Sequence, residues 1–172
     1  RPDGSLTLVD YDGMFVPAMK GQKSPTIGTK DFSHPLRNIE DFDETIDDFA
    51  LASMLLSLYA MSKDVSLYDR YGSCGRLLFA NSDYLSPKDS WLMDSLLDSF
   101  ETAFSHSAFL LFVSSCVSTN YNEVLEKFYC VLKLWWGMEI PRYWELCTDD
   151  FIIDEFGVKY STNGKILLNA PD

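Results

Sequence analysis

The feature that most constrains this fold is an uncharged apolar run of 13 residues, from Phe49 to Met61. Its large side chains recur near helical spacing. Asp43 and Glu44, just ahead of the run, give the acidic N-terminal character that suits a helix dipole. Because a helix that is apolar all round is buried on every side, we expect this run to form the central helix. It is too short to span a bilayer, which takes about 20 residues.

The composition indicates a folded chain with an acidic surface. Of the 172 residues, 47% are hydrophobic and 23% are charged, which is an ordinary balance for a globular domain. The formal net charge is -12, from 26 acidic and 14 basic residues. Binding to phosphates needs clustered lysine and arginine. We therefore expect neither nucleic acid nor an anionic membrane surface as a partner.

The cysteines give no sign of a metal site. Four of them lie far apart and form no C-x-x-C pair: Cys74, Cys116, Cys130 and Cys147. The two histidines, His34 and His106, are isolated in the sequence, whereas a zinc site needs converging ligands. We expect reduced, mostly buried thiols, as in a cytoplasmic protein.

Turn signals divide the rest of the chain. Residues 20–37 are rich in Gly, Pro, Ser, Thr and Lys, which predicts a long loop. Three more helices are predicted at 87–102, 107–118 and 122–138.

Each end of the chain has a hairpin signal. At the first end, Asp12-Gly13 separates two short apolar runs within residues 5–19. At the second end, Asn163-Gly164 separates Val158 and Tyr160 from Ile166 and Leu168. The predicted fold class is mainly α with short β-hairpins at both ends. The predicted domains are a helical domain at 1–147 and a hairpin tail at 148–172.

The segment L-T-L-V-D-Y-D-G, residues 6–13, places a carboxylate where an apolar strand is predicted to end. Magnesium prefers hard oxygen ligands and is usually held by one or two carboxylates plus substrate phosphates. Asp10 can serve in this way, and so can Asp12 beside it. Taken alone, the segment is more typical of an ordinary Asp-Gly turn.

Two further segments follow along the chain: G-T-K-D-F-S-H-P at 28–35 and D-D-F-A-L-A at 47–52. Together with 6–13 they resemble the C-terminal lobe of the protein kinase fold. The match covers about residues 5–138. It is strongest from 6 to 61, and D-Y-D-G-M-F-V-P at 10–17 is most similar to atypical bacterial kinase-like domains.

The resemblance assigns roles to particular residues. It implies that Asp10, with Asp12 as a further carboxylate, would hold Mg²⁺ against the phosphates of ATP. It makes 20–30 the activation segment, whose hydroxyls are Ser24, Thr26 and Thr29. Gly28, Pro35 and Asp47 would be structural, and Asp47 would accept backbone N–H bonds from the catalytic loop.

The same resemblance places the catalytic machinery outside these residues. The loop H-x-D-x-x-x-x-N, the glycine-rich loop and its lysine would all precede Leu6. The chain then has no catalytic residue of its own, and its partner would be the N-terminal kinase lobe of the same protein. Leu36 stands where the family's A-P-E carries Glu, and no arginine for that Glu is found at 120–123.

The tail, F-G-V-K-Y-S-T-N-G-K-I-L-L-N-A-P at 156–171, is similar to the start of a BspA-type leucine-rich repeat array. The alternative is a terminal hairpin that packs on the helices. Three functions remain open: part of a Ser/Thr-type kinase domain that is inactive alone, a pseudokinase-like module, and an all-α interaction module beside a repeat array. The last two would act on protein partners.

Overall fold

A computed structural model of the chain describes residues 13–136 and, beyond them, three strands at 151–153, 159–161 and 166–168. Six α-helices lie in the first range. They are α1 Asp48–Lys63, α2 Ser66–Tyr71, α3 Asn81–Leu85, α4 Trp91–Leu97, α5 Ala103–Val117 and α6 Tyr121–Trp136. Short 3-10 helices lie at Pro17–Met19, Lys30–Phe32 and Pro87–Asp89. The mainly α part of the prediction is confirmed.

Helix α1 contacts α2, α5 and α6, so it packs among the other helices as predicted. Small side chains on its buried face allow these helices to approach closely; the buried residues are Phe49, Ala52, Ser53, Leu56, Ser57 and Ala60. Leu51 and Leu58, however, are 45% and 55% exposed. The prediction that the helix is buried on every side is therefore wrong, because a lack of charge does not show which faces have neighbours.

Polar side chains define where the later helices begin. Ser90 precedes α4, and its hydroxyl accepts a hydrogen bond from the backbone N–H of Met93 at 3.1 Å. Before α5, Thr102 and Ser105 bond each other's backbone N–H groups through their hydroxyls, both at 3.1 Å. Such caps satisfy N–H groups that have no partner within the helix. The predicted helix at 87–102 is accordingly shorter, since it begins after Ser90.

Aromatic side chains fill the centre of the core. Phe112 of α5 is fully buried, and its ring lies 5.3 Å from Phe49 and 5.2 Å from Phe79 between centroids. Tyr84 and Phe128 approach the same ring at 6.1 Å and 6.4 Å. Phe112 therefore joins α1, α3, α6 and the segment before α3.

The predicted fold class is wrong in requiring β-hairpins at both ends. Residues 13–19 contain no strand, and a 3-10 helix with Pro17 at its start follows Val16 directly. Proline lacks the N–H that a strand ladder needs. The ring of Phe15 instead packs edge-on against Phe42, with 5.3 Å between centroids. Leu6 and Leu8 lie outside the described residues.

At the other end, three short strands form one antiparallel sheet in the order β1 Phe151–Ile153, β2 Lys159–Ser161 and β3 Ile166–Leu168. Ile152 is paired with Tyr160, and Tyr160 with Ile166. The element is therefore a three-stranded sheet and not a single hairpin. The predicted domain boundary at 147/148 lies outside the described residues and stays a prediction.

Within the described part of the chain, no helix is long and apolar enough to cross a membrane. Cys74, Cys116 and Cys130 are free thiols there. Cys116 and Cys130 are buried as expected, but Cys74 is exposed. Burial raises the pKa of the Cys116 thiol to about 12, so this group is un-ionised and behaves as an apolar side chain. Cys147 lies outside the described residues.

Candidate functional site

The candidate site is the segment from Ser24 to Arg37 together with the beginning of α1. The two predicted metal ligands, Asp10 and Asp12, lie outside the described residues. Among residues 13–136, no group of three or more His, Cys, Asp or Glu side chains is placed to hold a metal ion.

The three predicted hydroxyls of the segment differ in accessibility. Ser24 is buried; its hydroxyl donates to the carbonyl of Thr26 at 2.6 Å, and its backbone N–H donates to the carbonyl of Ile39 at 2.8 Å. Thr26 and Thr29 are exposed. The guanidinium of Arg37 lies 3.5 Å from the Ser24 hydroxyl. Thr26 and Thr29 are therefore accessible to solvent in this conformation, and Ser24 is not.

Gly28 has the role of a turn residue. Its φ of +75° lies in the left-handed region, which a side chain makes costly. Its N–H donates to the hydroxyl of Thr26 at 3.0 Å, and the hydroxyl of Ser33 donates to the carbonyls of Ile27 and Thr29, both at 3.1 Å. These bonds close the segment on itself.

Asp31 fixes the segment to α3, a role that the sequence did not indicate. Its carboxylate accepts a hydrogen bond from the N–H of Asn81, the first residue of α3, at 2.8 Å. Its carbonyl accepts from the hydroxyl of Tyr84 at 2.7 Å, and the same hydroxyl lies 2.9 Å from that of Ser53 in α1. A chain of hydrogen bonds thus links the segment to both helices.

His34 fixes the segment to the end of α5. One ring nitrogen, Nε2, lies 2.7 Å from the carbonyl of Ser115, and the other, Nδ1, accepts from the N–H of Leu36 at 3.1 Å. This pattern requires the neutral ring with its proton on Nε2. The ring also stacks on Tyr121 with 3.9 Å between centroids and meets Phe49 edge-on at 5.1 Å.

The surroundings of His34 favour its neutral form. Burial lowers the pKa of His34, while the hydrogen bond to the Ser115 carbonyl acts in the opposite direction. The neighbouring Pro35 is half-buried and Leu36 is 55% exposed. Sequence reasoning treated His34 as isolated, because its partners in α5 and α6 are 81 and 87 residues away, respectively, and no spacing marks them.

The predicted structural residue Asp47 lies at the start of α1 and is exposed. Its neighbour Asp48 is half-buried, and burial, followed by the nearby carboxylates of Asp43, Asp47 and Glu126, raises the pKa of Asp48 to about 7. The beginning of α1 is thus an acidic site where one carboxylate is half protonated near neutral pH.

The raised pKa predicts a pH-dependent effect of Asp48→Asn. The folded state binds the proton more tightly than the unfolded state, so stability is lost as pH rises from about 4 through about 7. Asparagine mimics the neutral form at every pH. We expect the variant to be more stable than the parent by about 1 kcal/mol at pH 8, after allowance for solvent screening, with no difference near pH 4.

Urea titrations at several pH values measure this difference. Asp47→Asn is the matched control, since Asp47 is exposed, and we expect it to change stability much less. A gain for Asp48→Asn that is equal at pH 4 and pH 8 would contradict the burial of an ionisable group at this position.

Three exposed side chains form a stripe along α1. Asp47, Leu51 and Leu58 follow one another at spacings of four and seven residues, which places them on one face of the helix. We call this set the α1 stripe. The α1 stripe thus combines one carboxylate at the start of the helix with two leucines that are open to solvent.

Comparison of the chain with family models, curated proteins and solved structures finds no match.

Proposed function

We propose that this chain is the C-terminal, helical part of a protein kinase-like phosphotransferase domain and is inactive alone. The observation that carries the proposal is the α1 stripe. In such a domain the catalytic loop, which would precede Leu6, covers the start of the central helix and bonds Asp47. The exposed Asp47 and Leu51 leave the start of the helix open to such a loop, and Leu58 extends the open face into the second half of the helix.

The second support is the way in which the segment is held. A substrate-side loop must be fixed relative to the central helix, since phosphoryl transfer depends on positioning. Asp31 is tied to α3 and, through Tyr84, to α1, while His34 is tied to α5. The segment therefore carries its exposed hydroxyls, Thr26 and Thr29, on a rigid base.

Mg²⁺ and ATP are the proposed cofactors, and only the sequence of residues 6–13 supports this part of the proposal. Asp10, with Asp12, would hold the metal, which neutralises charge on the transferred phosphoryl group. The described residues would have positioning roles: Asp31 and His34 hold the segment, and Asp47 would orient the loop.

A phosphotransfer assay tests the proposal. We expect residues 1–172 to transfer no measurable phosphate from ATP and to bind ATP·Mg at best weakly. A longer form that includes the upstream coding region is expected to bind nucleotide, and Asp10→Ala in that form is expected to abolish transfer. Micromolar ATP binding by residues 1–172 would contradict the proposal.

The α1 stripe supplies a second arm of this experiment. Leu51→Lys with Leu58→Lys should leave residues 1–172 folded, because both side chains already reach solvent. In the longer form the same double substitution should prevent nucleotide binding, since it places two charges in the proposed contact. Exposed Val65, at 77% exposure in the loop before α2, offers a control: Val65→Lys should have no effect in either form. Normal nucleotide binding by the double variant would exclude the stripe as the contact.

Leu36 favours a second candidate function, a pseudokinase-like or all-α interaction module. The family's A-P-E motif places at this position a Glu that pairs with Arg, and here the side chain is an exposed leucine. The tie between the segment and the last helices is made instead by His34 and Tyr121. If the longer form binds ATP but fails to transfer phosphate, the pseudokinase alternative is favoured.

A further inference from the structure

A cavity of about 560 Å³ lies on the side of the fold formed by α3, α4 and the segment before α3. Its apolar lining comes from Leu78, Ala80 and Leu92, and two larger side chains, Leu85 and Trp91, also border it. Leu85 is 62% exposed and Trp91 is 83% exposed. Large exposed apolar side chains beside a concave apolar surface mark interaction sites.

The walls of this cavity are fixed by hydrogen bonds. Asp83 accepts from the Ser90 hydroxyl and from the backbone N–H of Ala80, both at 2.7 Å. Arg76 donates through Nε and Nη2 to the carbonyl of Tyr71 at 3.2 Å and 3.1 Å. The cavity is therefore formed before anything binds, and a ligand would not have to order it.

The charge around the cavity is mainly negative, although Arg76 in its wall and Lys88 beside it are cations. Residues 83–98 contain four carboxylates, Asp83, Asp89, Asp94 and Asp98, and a single cation, Lys88. Asp94 of α4 and Asp98, the residue directly after this helix, follow Trp91 at spacings of three and seven residues, so they share its face, and all three are exposed. An exposed tryptophan thus lies in line with two carboxylates beside a cavity whose walls are partly apolar and partly polar.

We propose that this surface, comprising the cavity, Leu85, Trp91 and the acidic face of α4, binds a basic amphipathic helix of a partner protein. An apolar side chain of that helix fills the cavity and packs on Trp91, and its Lys or Arg side chains pair with Asp89, Asp94 and Asp98. Tryptophan is enriched among the residues that dominate interface energies. Complementary charge adds specificity and a faster association rate. This proposal does not depend on the proposed phosphotransferase function.

Fluorescence anisotropy with labelled synthetic peptides tests this surface on the 172-residue chain. The probe is an amphipathic peptide of about 15 residues, long enough for marginal helicity, with leucine on one face and Lys and Arg on the other. We expect a dissociation constant below about 100 μM. A charge-reversed peptide with Glu at the basic positions should bind at least about tenfold more weakly.

Two variants separate the apolar and the charged contributions. Trp91→Ala should weaken the basic peptide by about tenfold or more, and it should not affect folding because the side chain is largely in solvent. Asp89→Asn, Asp94→Asn and Asp98→Asn combined should weaken binding at low salt and flatten its salt dependence. Val117→Ala, on α5 and 67% exposed, is the control and should bind as the parent does.

Four outcomes would overturn the proposal. The first is that the basic peptide does not bind at about 1 mM, and the second is that the charge-reversed peptide binds equally well. The third is that Trp91→Ala and Val117→Ala weaken peptide binding to the same extent. The fourth is that sedimentation velocity shows a dimer of the chain and that Trp91→Ala dissociates this dimer. The last result would show that the surface is occupied by a second copy of the chain.

Discussion

Replacing Phe112 with alanine is expected to lower the free energy of unfolding by about 3–5 kcal/mol. The ring is fully buried and lies against aromatic rings from three helices and the segment before α3. Its removal would leave a cavity that rigid aromatic neighbours cannot fill. Urea unfolding followed by far-ultraviolet circular dichroism measures the change.

Val117→Ala is the matched control, since it removes apolar atoms from the same helix at a position that is 67% exposed. We expect its effect to be within about 0.5 kcal/mol. If Phe112→Ala cost less than about 1 kcal/mol, the ring would not lie at the centre of the core.

The second large effect is expected for His34→Leu. Leucine retains an apolar contact with Phe49 and Tyr121 but leaves the Ser115 carbonyl and the Leu36 N–H without the partners that His34 supplies. Burying an unsatisfied polar group costs about 1–3 kcal/mol. The Ser115 carbonyl keeps a hydrogen bond from the N–H of Ser118 at 3.2 Å. We therefore expect a loss of about 1–3 kcal/mol in the free energy of unfolding, together with faster amide exchange at Leu36.

The pH dependence of His34→Leu distinguishes the loss of these bonds from a general packing defect. The pKa of His34 is lower in the folded state than in the unfolded state, where it is about 6.5. The stabilisation by neutral His34 is thus complete above about pH 6.5 and is lost as pH falls below it. The difference between parent and variant should shrink between pH 7 and pH 5. A difference that stays constant over this range would contradict the neutral, doubly bonded ring.

The fold was predictable where periodicity and local chemistry decide it. The uncharged run 49–61 lies within α1, and the runs at 107–118 and 122–138 overlap α5 and α6 closely. Which face of α1 is open was not predictable, because Leu51 and Leu58 are chemically the same as the buried Leu56. Only the arrangement of the other helices around α1 distinguishes them.

The predicted N-terminal hairpin is wrong because the turn signal at Asp12-Gly13 does not outweigh the effect of Pro17, which follows it in the sequence. Asp12-Gly13 is a good turn dipeptide, but Pro17, which lacks the N–H that a strand ladder needs, directly follows Val16 and begins a 3-10 helix. The strands at 159–161 and 166–168 have no such interruption.

The candidate site was predictable in part. Gly28 was singled out from a motif, and it does have the positive φ that favours glycine. Asp31 and His34 were overlooked, because each makes its important bonds to residues 50 or more positions away. Hydrogen bonds between residues so far apart along the chain produce no periodic pattern in the sequence.

The position of α1 at the centre of the fold also has a consequence for synthesis of the protein. Its partners α5 and α6 begin only at Ala103 and Tyr121, so they leave the ribosome well after α1. Synthesis proceeds at about 5–20 residues per second, and domains fold as units. During that interval the uncharged run of α1 is exposed on a nascent chain that cannot yet bury it. The rate of translation between α1 and α6 therefore sets how long the apolar face of this helix stays without its partners.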